Sequence, residues 1–340
     1  MAKKRFKFPK WLRLAILGLF LALIVWYVVV PQYGQASKAL ESFKHISIPL
    51  IILAALLEVA SLLSYSMLTT ITLRRKVPTY FTLLRIDLTD LGVNHVVPGG
   101  GTAAGAVRYR LLKQAGVPAG EAIIVATIEI IFSNLILGLL FAIGILLSIA
   151  SFTKNQYYIA AGIFIIGLFI VAFAVGWILL RHTEDTLRLL DKIIGRHIST
   201  EKKKSYKAFI HEIADMMRVL LRSPKRVNKM AIAATLNWLF DAAALWVILA
   251  AFGYTLNLSG LLIAYGLANI LEMLPLTPGG IGIVEGVLVP SLVGFGVPGA
   301  VALIAVVGWR LFEYWLPIPF SAISYLTLKL GVFSRVIKRK

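Results

Sequence analysis

The sequence predicts an all-α polytopic membrane protein, with about six full spans and two oppositely oriented re-entrant helical hairpins forming an inverted repeat. Three observations predict it: apolar runs long enough to cross a bilayer, a one-sided distribution of Lys and Arg, and two Pro-Gly interruptions of similar pattern.

The apolar runs come first. Hydrophobic residues make up 59% of the 340 and charged residues only 15%, where an ordinary globular domain carries about 25% charged. Mean hydropathy is +0.84. Residues 12–30, 48–73, 122–151, 157–180, 230–252 and 301–328 each reach the ~20 residues that cross a hydrocarbon core of roughly 30 Å. The first of these follows a basic tail, residues 1–11, and its length reads as an uncleaved signal anchor rather than a cleaved signal peptide.

The charges set the orientation. The net charge is +19, and most of the 35 Lys and Arg gather in 1–13, 74–85, 108–113, 181–229 and 329–340. Lys38, Lys44 and Lys154 alone occupy the alternate connections, and Arg310 lies inside a span. Lys/Arg bias in short flanking segments decides sidedness, so both termini are expected in the cytoplasm, in a cell membrane. The basic excess then meets anionic inner-leaflet lipids. Nucleic acid is not an expected partner, because no basic stretch carries a nucleic-acid-binding fold. The chain has no cysteine, which excludes thiol catalysis and Cys-based metal sites.

Two apolar regions, 80–115 and 259–295, are broken. The first turns at Pro98-Gly99-Gly100-Gly101 and the second at Pro278-Gly279-Gly280, followed by Gly282. A single crossing at region one would put the thirteen cationic residues of 181–229 outside, against the charge rule. A single crossing at region two would export the basic segment 329–340. Each region is therefore expected to enter and leave on one side. The flanking spans place the ends of region one in the cytoplasm and those of region two outside. The patterns also match: each first arm carries an Asn and an acid, Asn94 with Asp90 and Asn269 with Glu272. Opposed copies of this kind place broken helices and a substrate site near the midplane, and helix N-termini after the turns face anions. The spacing Gly101-x-x-x-Gly105, matched by Gly282-x-x-x-Gly286, also suits close helix packing.

Residues 181–229 form the sizeable polar segment. Its second half places Ile210, Ile213, Met216, Met217, Leu220 and Leu221 at helical spacing. That amphipathic helix lies either on the inner leaflet or against the bundle.

Ionisable side chains at membrane depth cost about 2.5–3.5 kcal/mol each at a helix centre and are candidates for function. They are Glu58, Asp90, Arg108, Glu129, Asp241, Glu272, Glu285, Arg310 and Glu313. Arg108 suits a phosphate through its planar fork, and Glu129, two turns into the next span, faces it. Arg310 and Glu313 stand i, i+3 and can neutralise each other. Asp241 sits near a membrane edge, where water can hydrate it. Glu58 is either a lone proton carrier or the partner of a distant Arg, and His95 is expected as a hydrogen-bonded turn histidine. There is no P-loop, H-E-x-x-H, G-x-S-x-G or dinucleotide fingerprint. No cofactor is expected, and transport must be passive or coupled to ions or voltage.

Asn94-x-x-x-Pro98-Gly99-Gly100, Arg108 and Pro278-Gly279-Gly280-x-Gly282-x-x-Glu285-Gly286 together resemble the transmembrane flippase domain of lysylphosphatidylglycerol synthases, the multiple peptide resistance factor family. The resemblance covers nearly all of 1–340, read as one domain. It implies translocation of a phospholipid or polyprenyl-linked lipid between leaflets, a substrate with an anionic or phosphate-bearing headgroup, and a homodimer. By the same resemblance Arg108, Glu129 and Glu285, with Asp90, surround the headgroup. The transferase domain of the synthases is not expected in this chain, so lysyl transfer is not implied. The alternatives are a membrane enzyme or enzyme subunit acting on lipid-linked sugars or aminoacylated lipids, and an ion-coupled small-anion transporter.

Overall fold

The computed structural model describes residues 46–73, 78–97, 100–151, 181–193, 200–273 and 277–331, with 167, 171 and 174 as isolated positions. The expected span 12–30, nearly all of 157–180, the tails 1–11 and 332–340, and Pro98 and Gly99 lie outside them.

The described residues are helical throughout. Helix α1 (Ile48–Thr72) is followed by α2 (Tyr80–Val96), α3 (Gly100–Gln114) and α4 (Ala119–Ser151). Helices α5 (Thr183–Ile193) and α6 (Thr200–Leu221) lead into α7 (Pro224–Ala251) and α8 (Leu258–Glu272). A tight turn at Pro278–Gly280 precedes α9 (Ile283–Gly294), and α10 (Gly299–Arg310) continues through a π-turn at Leu311–Trp315 into α11 (Pro317–Lys329). Among the described residues, four segments are long and apolar enough to cross a membrane: Ile48–Thr72, Ala119–Ile149, Pro224–Ala251 and Gly299–Lys329.

Helix α1 shows how polarity inverts in lipid. Ile48, Ile52, Leu56, Val59, Leu63 and Met67 are exposed along one face, while Ala54, Glu58, Ser61, Leu68 and Thr72 are buried on the other. The apolar stripe faces the surroundings and the polar one faces protein, where its groups find partners. Ser64 and Thr72 donate to the carbonyls of Ala60 and Leu68, so their hydroxyls are satisfied within the helix.

Helices α1 and α7 pair antiparallel along their length. Ser47 N–H reaches the Ala251 carbonyl at one end. Midway, Ser61 Oγ donates to the Asn237 carbonyl and accepts from Asn237 Nδ2. At the other end Arg226 donates to the carbonyls of Ile71, Thr72 and Leu73. These carbonyls have no partner within the helix, and a cation there also meets the negative end of its dipole.

The final long span differs from one straight helix. Pro317 has no N–H for the carbonyl of Glu313 and its ring would press on it. The chain widens instead, and Leu316 N–H bonds the Leu311 carbonyl, the i, i+5 spacing of a π-turn. Helix α6 buries Ala214, Met216 and Leu220 against the α2–α4 core. Of the two readings of the amphipathic segment, packing against the bundle is the one seen.

Candidate functional site

Both broken regions end as helix, break, helix. In region two Gly279, Gly280 and Gly282 have φ of 48°, 67° and 81°, a conformation only glycine adopts without strain. A Cβ on Gly279 would lie 2.5 Å from the Tyr314 ring and 2.9 Å from His95. The turn therefore presses directly on the end of α2. Gly105 instead has nothing within 4 Å of where a Cβ would stand. The G-x-x-x-G spacing of region one does not pack a helix there; it leaves space.

That space is a cavity of about 490 Å³, lined by side chains from α1, α2, α3, α4, α7, α8, the Pro278 turn and the π-turn. Glu58, Asp87, Asp90, Asp241, Glu272, Glu313 and Arg108 all border it, as do Asn94, Asn269, Gly101, Gly105, Gly279 and Gly280. Its ionisable wall is acidic, with Arg108 as the cation. Among the sequence-expected residues, Glu129, Glu285 and Arg310 stand behind the wall.

Arg108, on α3, is 3% exposed and held from three other helices, α1, α2 and α4. Its Nη1 donates to Tyr65 Oη at 3.0 Å and lies 3.8 Å from Asp90 Oδ2. Its Nη2 donates to Thr69 Oγ1 at 3.0 Å and to Glu129 Oε2, and lies 3.1 Å from Asp87 Oδ1. Three acids thus surround one guanidinium, two more than neutrality needs. Arg108 Nε, Asp90 Oδ1 and Glu129 Oε1 have no hydrogen-bond partner. Asp87 is absent from the sequence candidates; its signal was Asp90 one turn on, which sets both carboxylates on one face of α2.

Arg310 makes a second cluster with every nitrogen used. Nε donates to Glu285 Oε1 at 2.8 Å, Nη1 to Glu313 Oε2 at 2.8 Å and Nη2 to the Gly279 carbonyl at 3.0 Å. The guanidinium also lies over the Trp309 and Tyr314 rings. Glu285 accepts the Gly282 N–H at 2.6 Å through its other oxygen, so the N-terminus of α9 is closed by its own side chain rather than offered to an anion. Pro278 and Tyr314 meet at the same point: Tyr314 Oη donates to the His95 carbonyl and approaches that of Pro278 at 3.4 Å. His95 Nδ1 lies 3.1 Å from the Tyr314 carbonyl. A carbonyl only accepts, so this nitrogen carries the proton, the hydrogen-bonded turn histidine expected.

Asp241 lies in neither cluster. It is buried, and accepts from Tyr265 Oη and Trp309 Nε1, each at 2.7 Å. The hydration expected of a membrane-edge acid is replaced by two fixed donors. Asn269 is turned back on its helix, its Nδ2 bonding the Tyr265 carbonyl. Glu272 packs its stem on Gly280 at the second turn.

Apolar outer helix faces around an ionic interior cavity define a polytopic helical membrane protein. The chain belongs to the family described as the lysylphosphatidylglycerol synthase transmembrane region, whose pattern matches residues 10–321. It is similar to a UPF0104 membrane protein of Methanothermobacter thermautotrophicus, 25% identical across 67% of this chain and 70% of that one. A UPF0104 membrane protein of Archaeoglobus fulgidus is 24% identical across 91% and 95%. One from Methanocaldococcus jannaschii is 26% identical across 71% and 73%.

Proposed function

We infer that the protein translocates a lipid between the leaflets of the cell membrane, with its headgroup passing through the acidic cavity. One observation carries the reading: ionisable side chains from six elements border a single space inside an apolar bundle. Each costs about 2.5–3.5 kcal/mol at that depth, a cost that a transported polar group would offset. Unpartnered Arg108 Nε and Asp90 Oδ1, on residues that border the cavity, are matched to such an entrant. The family description names a phospholipid synthase, which favours a lipid over a small anion. A headgroup phosphate meets Arg108. The surplus of acids suits a headgroup bearing a cation beside that phosphate better than a purely anionic one.

In this reading the two broken regions are re-entrant hairpins, open to opposite sides, and form an inverted repeat. Both termini are cytoplasmic, and residues 1–340 act as one unit. Reconstitution into liposomes with a panel of lipids labelled on the headgroup tests it. Leaflet exchange of at least one phosphate-bearing lipid above protein-free liposomes is expected. No exchange of any lipid, in protein shown to be folded and inserted, would refute the reading.

A further inference from the structure

We propose that Glu58 and Asp241 form a proton-binding site in the cavity wall, where one proton, shared between two buried carboxyl groups, is exchanged as the protein works. The coupling half of the proposal rests on the lipid reading; the proton site itself does not.

The geometry assigns the proton. Glu58 on α1 lies one turn from Ser61 and Asp241 on α7 one turn from Asn237, the pair that joins these antiparallel helices, so two buried acids stand side by side in the cavity wall. Two carboxylates side by side in a water-poor wall, with no cation between them, do not both stay charged; one carries a proton. Asp241 is the charged member, because Tyr265 and Trp309 donate to its two oxygens from fixed positions on α8 and α10. Glu58 is then the member that holds the proton. Its Oε1 has no hydrogen-bond partner although Glu58 borders the cavity, as expected of the carbonyl oxygen of a protonated carboxyl.

No Lys, Arg or His forms an ion pair with either among the described residues. A third acid, Glu313 from the π-turn, borders the same cavity. It is itself bound to Arg310 at 2.8 Å. Two like charges side by side in a water-poor site do not coexist, so a proton is the simplest neutraliser. No metal-ligating cluster occurs among the described residues.

The position suits coupling. At a rise of 1.5 Å per residue, Glu58 and Asp241 each lie about 15 Å from the paired Ile48 and Ala251 ends, half the depth of a hydrocarbon core of roughly 30 Å. A proton there touches the same cavity as Arg108. Its loss would leave two negative charges in the wall and strengthen the hold on a cationic group; its return would weaken that hold.

Infrared difference spectroscopy on membrane-reconstituted protein reads the site directly. Wild type minus Glu58→Gln at neutral pH is expected to show a protonated-carboxyl C=O band that shifts in D₂O. Absence of the band overturns the site, and its disappearance when sodium replaces choline in the buffer would make it a sodium site instead. The second arm imposes a pH gradient on liposomes with a labelled phosphate-bearing lipid. One proton per lipid allows a leaflet ratio of up to about tenfold per pH unit. In Glu58→Gln the ratio of rates with and without the gradient should fall to about 1, a readout that a folding defect does not mimic. Wild type that moves lipid indifferently to the gradient overturns the coupling. A band in protein that moves no lipid keeps the proton site and discards the lipid reading.

Discussion

Arg108 is the residue whose replacement separates scaffold from site. Truncation to Ala strips the cation from Asp87, Asp90 and Glu129 and empties the acceptors Tyr65 and Thr69. Breaking a buried pair costs about 3–5 kcal/mol, because the remaining charges stay uncompensated. Lys keeps the charge but concentrates it on one nitrogen. It can hold the Nη2 position, with Thr69 and Glu129, or the Nη1 position, with Tyr65 and Asp90, but not both. The loss is one charge-assisted hydrogen bond, about 1.5–3 kcal/mol. Thermal unfolding in one detergent should therefore rank wild type above Arg108→Lys and Arg108→Lys above Arg108→Ala. In a cycle with Glu129→Gln, the double variant should lose less than the sum of the singles, by about 0.5–3 kcal/mol. Arg108→Ala protein as stable as wild type would refute the compensation argument. Translocation per folded molecule is the independent measurement. If it falls in Arg108→Lys beyond the loss of folded protein, the fork meets the headgroup.

Further expectations follow from other residues. Gly279→Ala should destabilise by about 1–3 kcal/mol through its positive φ and its clash with Tyr314, whereas Gly105→Ala should fold normally and slow transport by filling cavity space; equal stability of the two variants would contradict this geometry. Arg226→Ala should lower thermal stability by about 1–3 kcal/mol by releasing three carbonyls at the end of α1, without changing lipid selectivity. A cysteine at position 203 should resist impermeant reagents from outside, while cysteines in 31–46 and 152–156 should react; labelling of 203 from outside would reverse the whole orientation.

Much of the frame was legible because lipid imposes long apolar runs, and a helix that breaks at Pro and Gly announces itself. The approach of Arg108 to Glu129 was legible for a similar reason: adjacent helices and matched depths leave few partners. Asp87 was missed, although its face-sharing with Asp90 was visible in the spacing. Glu285 was expected beside a headgroup by resemblance to the family. Its real partners are the Gly282 N–H and Arg310, and the Gly-x-x-Glu spacing of a capping box carried the first of these. The Glu58–Asp241 contact was beyond reach. It depends on α1 lying antiparallel to α7, a long-range pairing that no local pattern encodes.

The three buried ionic groups differ in how completely they are spent, and that difference assigns their work. Arg310 uses every nitrogen, two on carboxylates and one on the Gly279 carbonyl. Such a closed set fixes α9, α10 and the second turn to one another and leaves nothing to offer an entrant. Arg108 keeps Nε unpartnered beside three acids that overcompensate it. It can therefore exchange an acid for a phosphate oxygen without the region losing its balance, whereas Arg310 could do so only by releasing the turn. Among the described residues Glu58 and Asp241 pair with no cation, and the proton proposed for them is a neutraliser that can come and go without moving a helix. A substrate entering the cavity should accordingly disturb Arg108 and Glu58 and leave Arg310 in place. Hydrogen–deuterium exchange at the Pro278–Gly282 turn should then be insensitive to added lipid, while exchange along α3 should respond.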